Sequence, residues 1–196
     1  MTVFSGIKIE SCGGVYAPAE DSFLLAESIG AQPDDSVLDM GCGSGFLGLI
    51  AAKTARWVLS VDISDSAREC ALENARLNCV ENLEVRKSDL FSNVSETFDL
   101  IVFNPPYLPT EEGEPLDDVS LAWDGGRSGR VVIDRFLAGL SGHLNPGGRV
   151  VTLGSSLSDF EKTISVLEGM GFQVSLPARR KLDFEELVVI RGIYDF

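Results

Sequence analysis

Runs of apolar and β-branched residues recur along this chain at 36–40, 57–62, 83–87, 98–103, 149–154, 172–176 and 187–193. Strands that are apolar nearly throughout belong to sheets covered on both faces. Helical segments are predicted between most of them. Residues 46–54 follow the first run and residues 64–78 the second, where Asp62 and Ser64 can cap the helix start. Ile133, Phe136, Leu137, Leu140 and Leu144 recur at three- and four-residue steps, as do Leu157, Phe160, Ile164 and Leu167. Each set makes a one-sided helix that needs a sheet to cover. The alternation predicts an α/β fold, a Rossmann-like, seven-stranded, mainly parallel sheet with helices on both faces. Gly169 to Gly171 end the last helix, and the short link between the final two runs predicts a hairpin, hence one antiparallel strand. Ahead of the sheet, residues 8–10 and 14–17 are expected to form a small hairpin, followed by a helix capped near Asp21.

Length and charge narrow the classes. The 196 residues, 44% of them apolar, fit one domain over 1–196, with a leading hairpin and helix in 1–35 and the core in 36–196. Thirty acidic residues against sixteen basic ones give a formal charge of −14, so the surface repels phosphate backbones and nucleic acid is a disfavoured partner. Cys12, Cys42, Cys70 and Cys79 form no C-x-x-C pair, and His143 is the only histidine, so neither a metal site nor a thiol redox centre is expected. Four reduced thiols in a cytoplasmic protein are the plain expectation. The first ten residues lack the pattern of a secretion signal, and no apolar run approaches the roughly 18 residues that span a bilayer.

Candidate chemistry lies at the carboxyl ends of the predicted strands, where open α/β sheets bind ligands. The first strand ends in Val37, Leu38, Asp39 and Met40 and runs into Gly41, Cys42, Gly43, Ser44 and Gly45. Glycines permit a tight turn and a close approach of ligand to backbone. An acid just before them suits a ligand carrying an ammonium group, whereas Asp39 would repel a pyrophosphate. The second strand ends in Asp62, where a carboxylate can take both hydroxyls of a ribose. After the third strand, Asp89 can accept from an adenine amino group while Leu90 supplies a backbone donor. The fourth strand closes with Asn104, Pro105, Pro106 and Tyr107. Two prolines fix φ and remove donors, so carbonyl groups there serve as rigid acceptors, and Asn104 adds a side-chain carbonyl. Together they can hold the two hydrogens of an NH2 group, with Tyr107 as a flat face beside it.

These stretches resemble the successive motifs of class I S-adenosylmethionine methyltransferases of the amino-methylating branch. Residues 15–22 (Val-Tyr-Ala-Pro-Ala-Glu-Asp-Ser) and 122–126 (Ala-Trp-Asp-Gly-Gly) sharpen the likeness to the HemK family of release-factor glutamine methyltransferases, in its short archaeal and eukaryotic type. The resemblance implies S-adenosyl-L-methionine as cofactor, with Ser22, Asp39 and Gly41 at its methionyl part, Asp62 at the ribose, Asp89 and Leu90 at the adenine, and Gly43 and Asn104 also in the cofactor-binding set. It implies that Asn104 and Pro105 hold a glutamine side-chain amide, with Pro106 and Tyr107 completing the catalytic tetrapeptide. It further implies a protein substrate, the peptide chain release factor, and a small zinc-binding activator protein at the edge of the sheet near residues 79–87. Two other acceptors keep the same reaction: amino groups of adenine or guanine in RNA or DNA, and lysine. A cofactor-binding protein without turnover is a third possibility. Glu111, Glu112, Glu114, Asp117 and Asp118 read as a solvated acidic loop able to meet basic residues of a substrate. Trp123 reads as a packing anchor, and His143 as a partner for a helix dipole.

Overall fold

A computed structural model describes residues 1–110 and 122–194. The elements are β1 (Thr2–Phe4), β2 (Ile7–Ile9), α1 (Glu20–Ala26), β3 (Ser36–Met40), α2 (Phe46–Ala52), β4 (Trp57–Asp62), α3 (Asp65–Leu77), β5 (Leu83–Lys87), β6 (Phe98–Phe103), α4 (Val131–Leu140), β7 (Leu144–Ser155), α5 (Phe160–Gly169), β8 (Phe172–Lys181) and β9 (Glu186–Tyr194). Seven strands form one sheet in the order β5-β4-β3-β6-β7-β9-β8. β3, β4, β5, β6 and β7 pair in parallel, and β9 runs antiparallel to both of its neighbours. From β3 the chain builds outward in one direction through β4 and β5, then returns to the other side of β3 with β6. The strand order therefore reverses at β3, and a crevice opens above the carboxyl ends of β3 and β6.

Alternate residues of each central strand feed opposite layers of the core. Val37, Val58, Leu100 and Val102 pack with Leu24, Leu25, Phe46 and Leu49 on one face. Leu38, Leu59, Ile101 and Val150 pack with Phe136, Leu140, Phe160 and Leu167 on the other. The apolar steps of α1 and α2 thus cover one face and those of α4 and α5 the other. Ser64 caps α3, its Oγ accepting from the Ala67 N–H at 3.3 Å. Among the described residues no helix is long and apolar enough to cross a membrane.

Several local expectations are corrected. The leading hairpin pairs residues 2–4 with 7–9, with Ser5 and Gly6 both at positive φ in the turn, instead of joining 8–10 to 14–17. Leu144 is the first residue of β7, because α4 stops at Leu140 and residues 141–143 form a 3₁₀ turn. β8 runs on to Lys181, past a register shift between Ser175 and Ala178, where Pro177 has no N–H to give the ladder. The four thiols are not all reduced: Cys12 and Cys70, 58 residues apart, form a disulfide with a Cα separation of 5.9 Å, tying the segment before α1 to α3. Cys42 is buried and free, and Cys79 is exposed and free.

One contact fastens the glycine-rich turn to the sheet. Asp39, on β3, turns its carboxylate under the turn, where Oδ2 accepts from the Gly48 N–H at 2.9 Å and from the Ser60 hydroxyl at 3.1 Å. A Cβ on residue 48 would lie 2.4 Å from Ser60 Oγ and 2.7 Å from Asp39 Oδ2, so only glycine lets α2 come this close. Burial pushes the Asp39 carboxyl up to about 7, against the two hydrogen bonds and with help from the charge of Asp62. In the unfolded chain the group titrates near 4, as an aspartate ordinarily does. Between those values the native state holds a proton that the unfolded state has lost. The associated stability is complete below about 4 and disappears as the pH rises through about 7. Asp39→Asn, which keeps an acceptor for Gly48 and cannot ionise, should therefore gain on the wild type by up to ~1.4 kcal/mol per pH unit below neutrality. Urea unfolding at several pH values measures the difference, and a constant difference between about pH 5 and pH 7 would show that Asp39 titrates normally.

Candidate functional site

Above this brace, Gly41, Gly43 and Gly45 all take positive φ, and the turn is closed by the Cys42 N–H to the Val61 carbonyl at 2.9 Å and the Gly45 N–H to the Cys42 carbonyl at 2.8 Å. The turn is tied to Asp62 at the end of β4, whose Oδ2 accepts from the Gly43 N–H and whose Oδ1 accepts from the Ser64 N–H, each at 2.9 Å. Burial raises the Asp62 carboxyl, and those backbone donors partly offset the rise. A cavity of about 260 Å³ opens here. Ser22, Gly41, Gly43, Asp62, Asp89, Leu90 and Asn104 all line it. Asp39 does not line it and sits beneath the turn, with its Oδ1 buried and unpaired among the described residues. Asp89 is already engaged, Oδ2 accepting from Arg135 at 2.8 Å in a half-exposed pair. Arg135, from α4, lines the same cavity and carried no signal in the sequence.

The end of β6 belongs to two cavities at once. Asn104, Pro105 and Tyr107 line a second space of about 280 Å³ together with Tyr16 and Trp123, while Pro106 faces the first. Tyr16, Asn104 and Ala122 line both, so the cavities meet at the asparagine. Its Nδ2 donates to Asp21 Oδ2 at 2.9 Å. Its Oδ1 is shielded from water and has no partner among the described residues. Asp21 is itself buried, and its Oδ1 accepts from the Ser22 N–H at 2.6 Å and from the Tyr16 hydroxyl at 3.3 Å. Burial first, and then the neighbouring Asp21 charge, push the Tyr16 and Tyr107 phenols well above the ordinary tyrosine value. Both therefore stay protonated, and neither is a base. The contribution of Tyr16 and Asp21 was not visible in sequence, where the start of α1 reads only as a cap.

Residues beyond Tyr107 hold this strand end in place. The Leu108 N–H donates to the Trp123 carbonyl and the Gly125 N–H to the Leu108 carbonyl, both at 2.9 Å, and Asp124 Oδ1 accepts from the Gly126 N–H at 2.7 Å. Trp123 is therefore also part of the cavity wall, beyond the anchoring role read from the sequence. The acidic positions Glu111, Glu112, Glu114, Asp117 and Asp118 lie outside the described residues. His143 lines neither cavity: its ring stacks on Phe91 at 4.4 Å, and Nδ1 lies 3.1 Å from the Glu96 carbonyl.

The set suits a ligand with a cationic end and a ribose next to a second ligand that donates hydrogen bonds. The first cavity offers the backbone of an open glycine turn, where a Cβ at Gly43 would meet nothing within 4 Å, and a carboxylate at the end of the neighbouring strand. At the junction Asn104 carries an acceptor that is unsatisfied among the described residues, and leaving such an atom buried costs about 1–3 kcal/mol unless a partner satisfies it.

The chain is similar to several known proteins. The methyltransferase small domain family matches residues 6–116. A Methanocaldococcus jannaschii protein, provisionally named a protein N5-glutamine methyltransferase, is 46% identical over 189 residues, covering 95% of each chain. Human methyltransferase HEMK2 is 33% identical over 90% of this chain and 88% of its own. Among solved structures, the Encephalitozoon (E. cuniculi) Mtq2–Trm112 complex, responsible for methylation of the eRF1 translation termination factor, is 27% identical with a TM-score of 0.72, covering 93% of this chain and 99% of that one. With the family match spanning more than half of the residues and these relatives spanning nearly all, the chain belongs to the methyltransferase small domain family, as a HemK-type methyltransferase.

Proposed function

We propose that the chain transfers the methyl group of S-adenosyl-L-methionine to the side-chain amide nitrogen of a glutamine in a translation release factor. The observation that carries this reading is Asn104, which lines both cavities and whose buried Oδ1 has no partner among the described residues. Support comes also from the Schizosaccharomyces pombe relative, named an eRF1 methyltransferase catalytic subunit, which is 29% identical over 96% of this chain. In this reading Ser22, Gly41 and Gly43 hold the methionyl part of the cofactor, with Asp39 bracing the turn from below. Asp62 takes the ribose, and Asp89 with Leu90 the adenine. A translation factor as substrate goes with action in the cytoplasm.

The cofactor, when bound, supplies a methyl group that is already strongly electrophilic, so the protein's task is alignment. Asn104 Oδ1 and the Pro105 carbonyl accept the two hydrogens of the substrate amide and aim its nitrogen at the methyl carbon. Charge that develops on that nitrogen strengthens both hydrogen bonds as the reaction proceeds. Tyr107 and Trp123 provide flat walls for the planar amide. Because Tyr16 and Tyr107 stay protonated, the amide proton leaves to solvent after transfer and not to a phenolate. The same acceptors would suit an adenine or guanine amino group, but a formal charge of −14 opposes a nucleic-acid substrate. A lysine would first have to lose a proton, and the phenols of Tyr16 and Tyr107 stay protonated and cannot take it.

The activator reading also belongs here. β5 is the edge of the sheet, where half-buried Arg86 pairs with Glu84 and Glu96 and exposed Lys87 pairs with Asp65. Surface ion pairs of this kind contribute little, and an open edge can receive a strand from a second chain. The partner we propose is a small activator, of the zinc-binding type that the family resemblance implies. Co-expression should give a one-to-one complex that binds cofactor more tightly than the isolated chain. A monodisperse isolated chain with full activity would dismiss the partner.

Two substitutions separate binding from transfer. Asn104→Ala should lower the transfer rate by roughly a hundredfold or more while leaving cofactor affinity within a few-fold. Asp62→Ala should weaken cofactor binding by about 1–3 kcal/mol. Single-turnover kinetics and calorimetry read the two effects. Wild-type rates in the first variant would remove the acceptor mechanism, and unchanged affinity in the second would put the ribose elsewhere.

A further inference from the structure

We infer that Asp21 is a positioning residue that fixes which way round the Asn104 carboxamide sits, and thereby makes the group facing the methyl acceptor a hydrogen-bond acceptor and not a donor. The inference rests on the amide-methylating reading above and deepens it with a residue outside the Asn104–Tyr107 tetrapeptide.

A carboxamide presents an oxygen on one side and an NH2 on the other, of nearly equal size, and only its neighbours decide the orientation. Asp21 decides it here. Its Oδ1 is committed to the Ser22 backbone N–H at 2.6 Å, a donor that cannot be reversed, and also receives the hydroxyls of Ser22 at 3.1 Å and Tyr16 at 3.3 Å. That leaves Oδ2 facing Asn104 at 2.9 Å. Turned over, the asparagine would set its own oxygen against a carboxylate oxygen at that distance. Asp21 is only 5% exposed, so water is poorly placed to intervene. The amide nitrogen therefore faces α1, and Oδ1, on the other side of the carboxamide, is buried without a partner among the described residues in a side chain that lines both cavities. An NH2 group can dock on that oxygen, whereas a carboxylate is repelled, which distinguishes glutamine from glutamate.

Asp21→Asn is nearly the same size but inverts this logic. Its single amide oxygen stays with the Ser22 N–H, so its NH2 faces Asn104. The Asn104 oxygen then turns toward that NH2, and its own nitrogen is driven into the cleft, where it opposes the substrate amide. Transfer should fall by about a hundredfold, with cofactor affinity within about threefold of wild type. Adding Asn104→Asp should restore at least about tenfold, because one carboxylate oxygen can accept from residue 21 while the other faces the substrate. In the wild-type background the same Asn104→Asp change sets two carboxylates against each other and should lower transfer. A purely structural role for Asp21 would not yield that reciprocal rescue. An Asp21→Asn enzyme with wild-type turnover, or an Asn104→Asp change that is no better tolerated beside Asn than beside Asp, would overturn the inference. A measurement on the unmodified protein is independent of the substrate. The Asn104 side-chain ¹⁵NH2 signal, assigned by its loss in Asn104→Asp, should show one downfield proton protected from exchange, and an exposed-amide shift with fast exchange would overturn the orientation whatever the methyl acceptor is. If the protected proton is present but no protein glutamine is methylated, the amide-methylating reading fails while the orientation stands.

Discussion

The pairing of β3 with β6 at the centre of the sheet is the constraint on which the site depends. The register opposes Met40 to Phe103, so the next residue on each strand, Gly41 and Asn104, leaves the sheet side by side at its carboxyl edge. Gly41 and Asn104 are 63 positions apart in sequence but become neighbours once these strands pair. β4 adds Asp62 from the other flank, and α1 comes over the top to bring Ser22 and Asp21 to the crevice. A rigid parallel pair beneath is what lets a site assembled from loops keep an alignment on the scale of a hydrogen bond.

The electrostatics of the crevice follow from where its acids are placed. Asp21 and Asp39 are buried and Asp62 nearly so, and burial raises the carboxyls of both Asp39 and Asp62. Each pays a desolvation penalty when ionised, which a ligand with positive charge would relieve. S-adenosyl-L-methionine carries such charge on its sulfonium and ammonium groups. Burial first, and then the same acidic character, keeps the phenols of Tyr16 and Tyr107 on the protonated side. Acids placed in this way suit a cationic ligand, and phenols held protonated do not serve as bases beside it.

Much of this was legible in the sequence because it was local. The strand runs, the capped α3, the terminal hairpin, the glycine turn and the Asn104–Tyr107 segment each announce themselves within a dozen residues. What escaped depended on contacts between distant residues or on weak local signals. The start of α1 looked like a cap because the partner of Asp21, Asn104, lies 83 residues on. Cys12 and Cys70 showed no spacing pattern, since a disulfide between a leading loop and a helix is set by the fold and not by separation along the chain. The first hairpin was misplaced because strands of three residues carry too short an alternation to locate, and its Ser5–Gly6 turn requires positive φ at a serine. The bond from the Gly48 N–H that holds the Asp39 carboxylate under the turn also joins residues too far apart to be read from the local pattern.

The central claim is that the two joined cavities present a methyl donor to a glutamine amide. The most direct test incubates the protein with methyl-labelled S-adenosyl-L-methionine and purified release factor, with and without a small activator, and locates the label by mass spectrometry. The account predicts a single methyl on the side-chain nitrogen of one glutamine, dependent on Asn104. Label on a lysine or on nucleic acid, or label on glutamine that persists in Asn104→Ala, would contradict it.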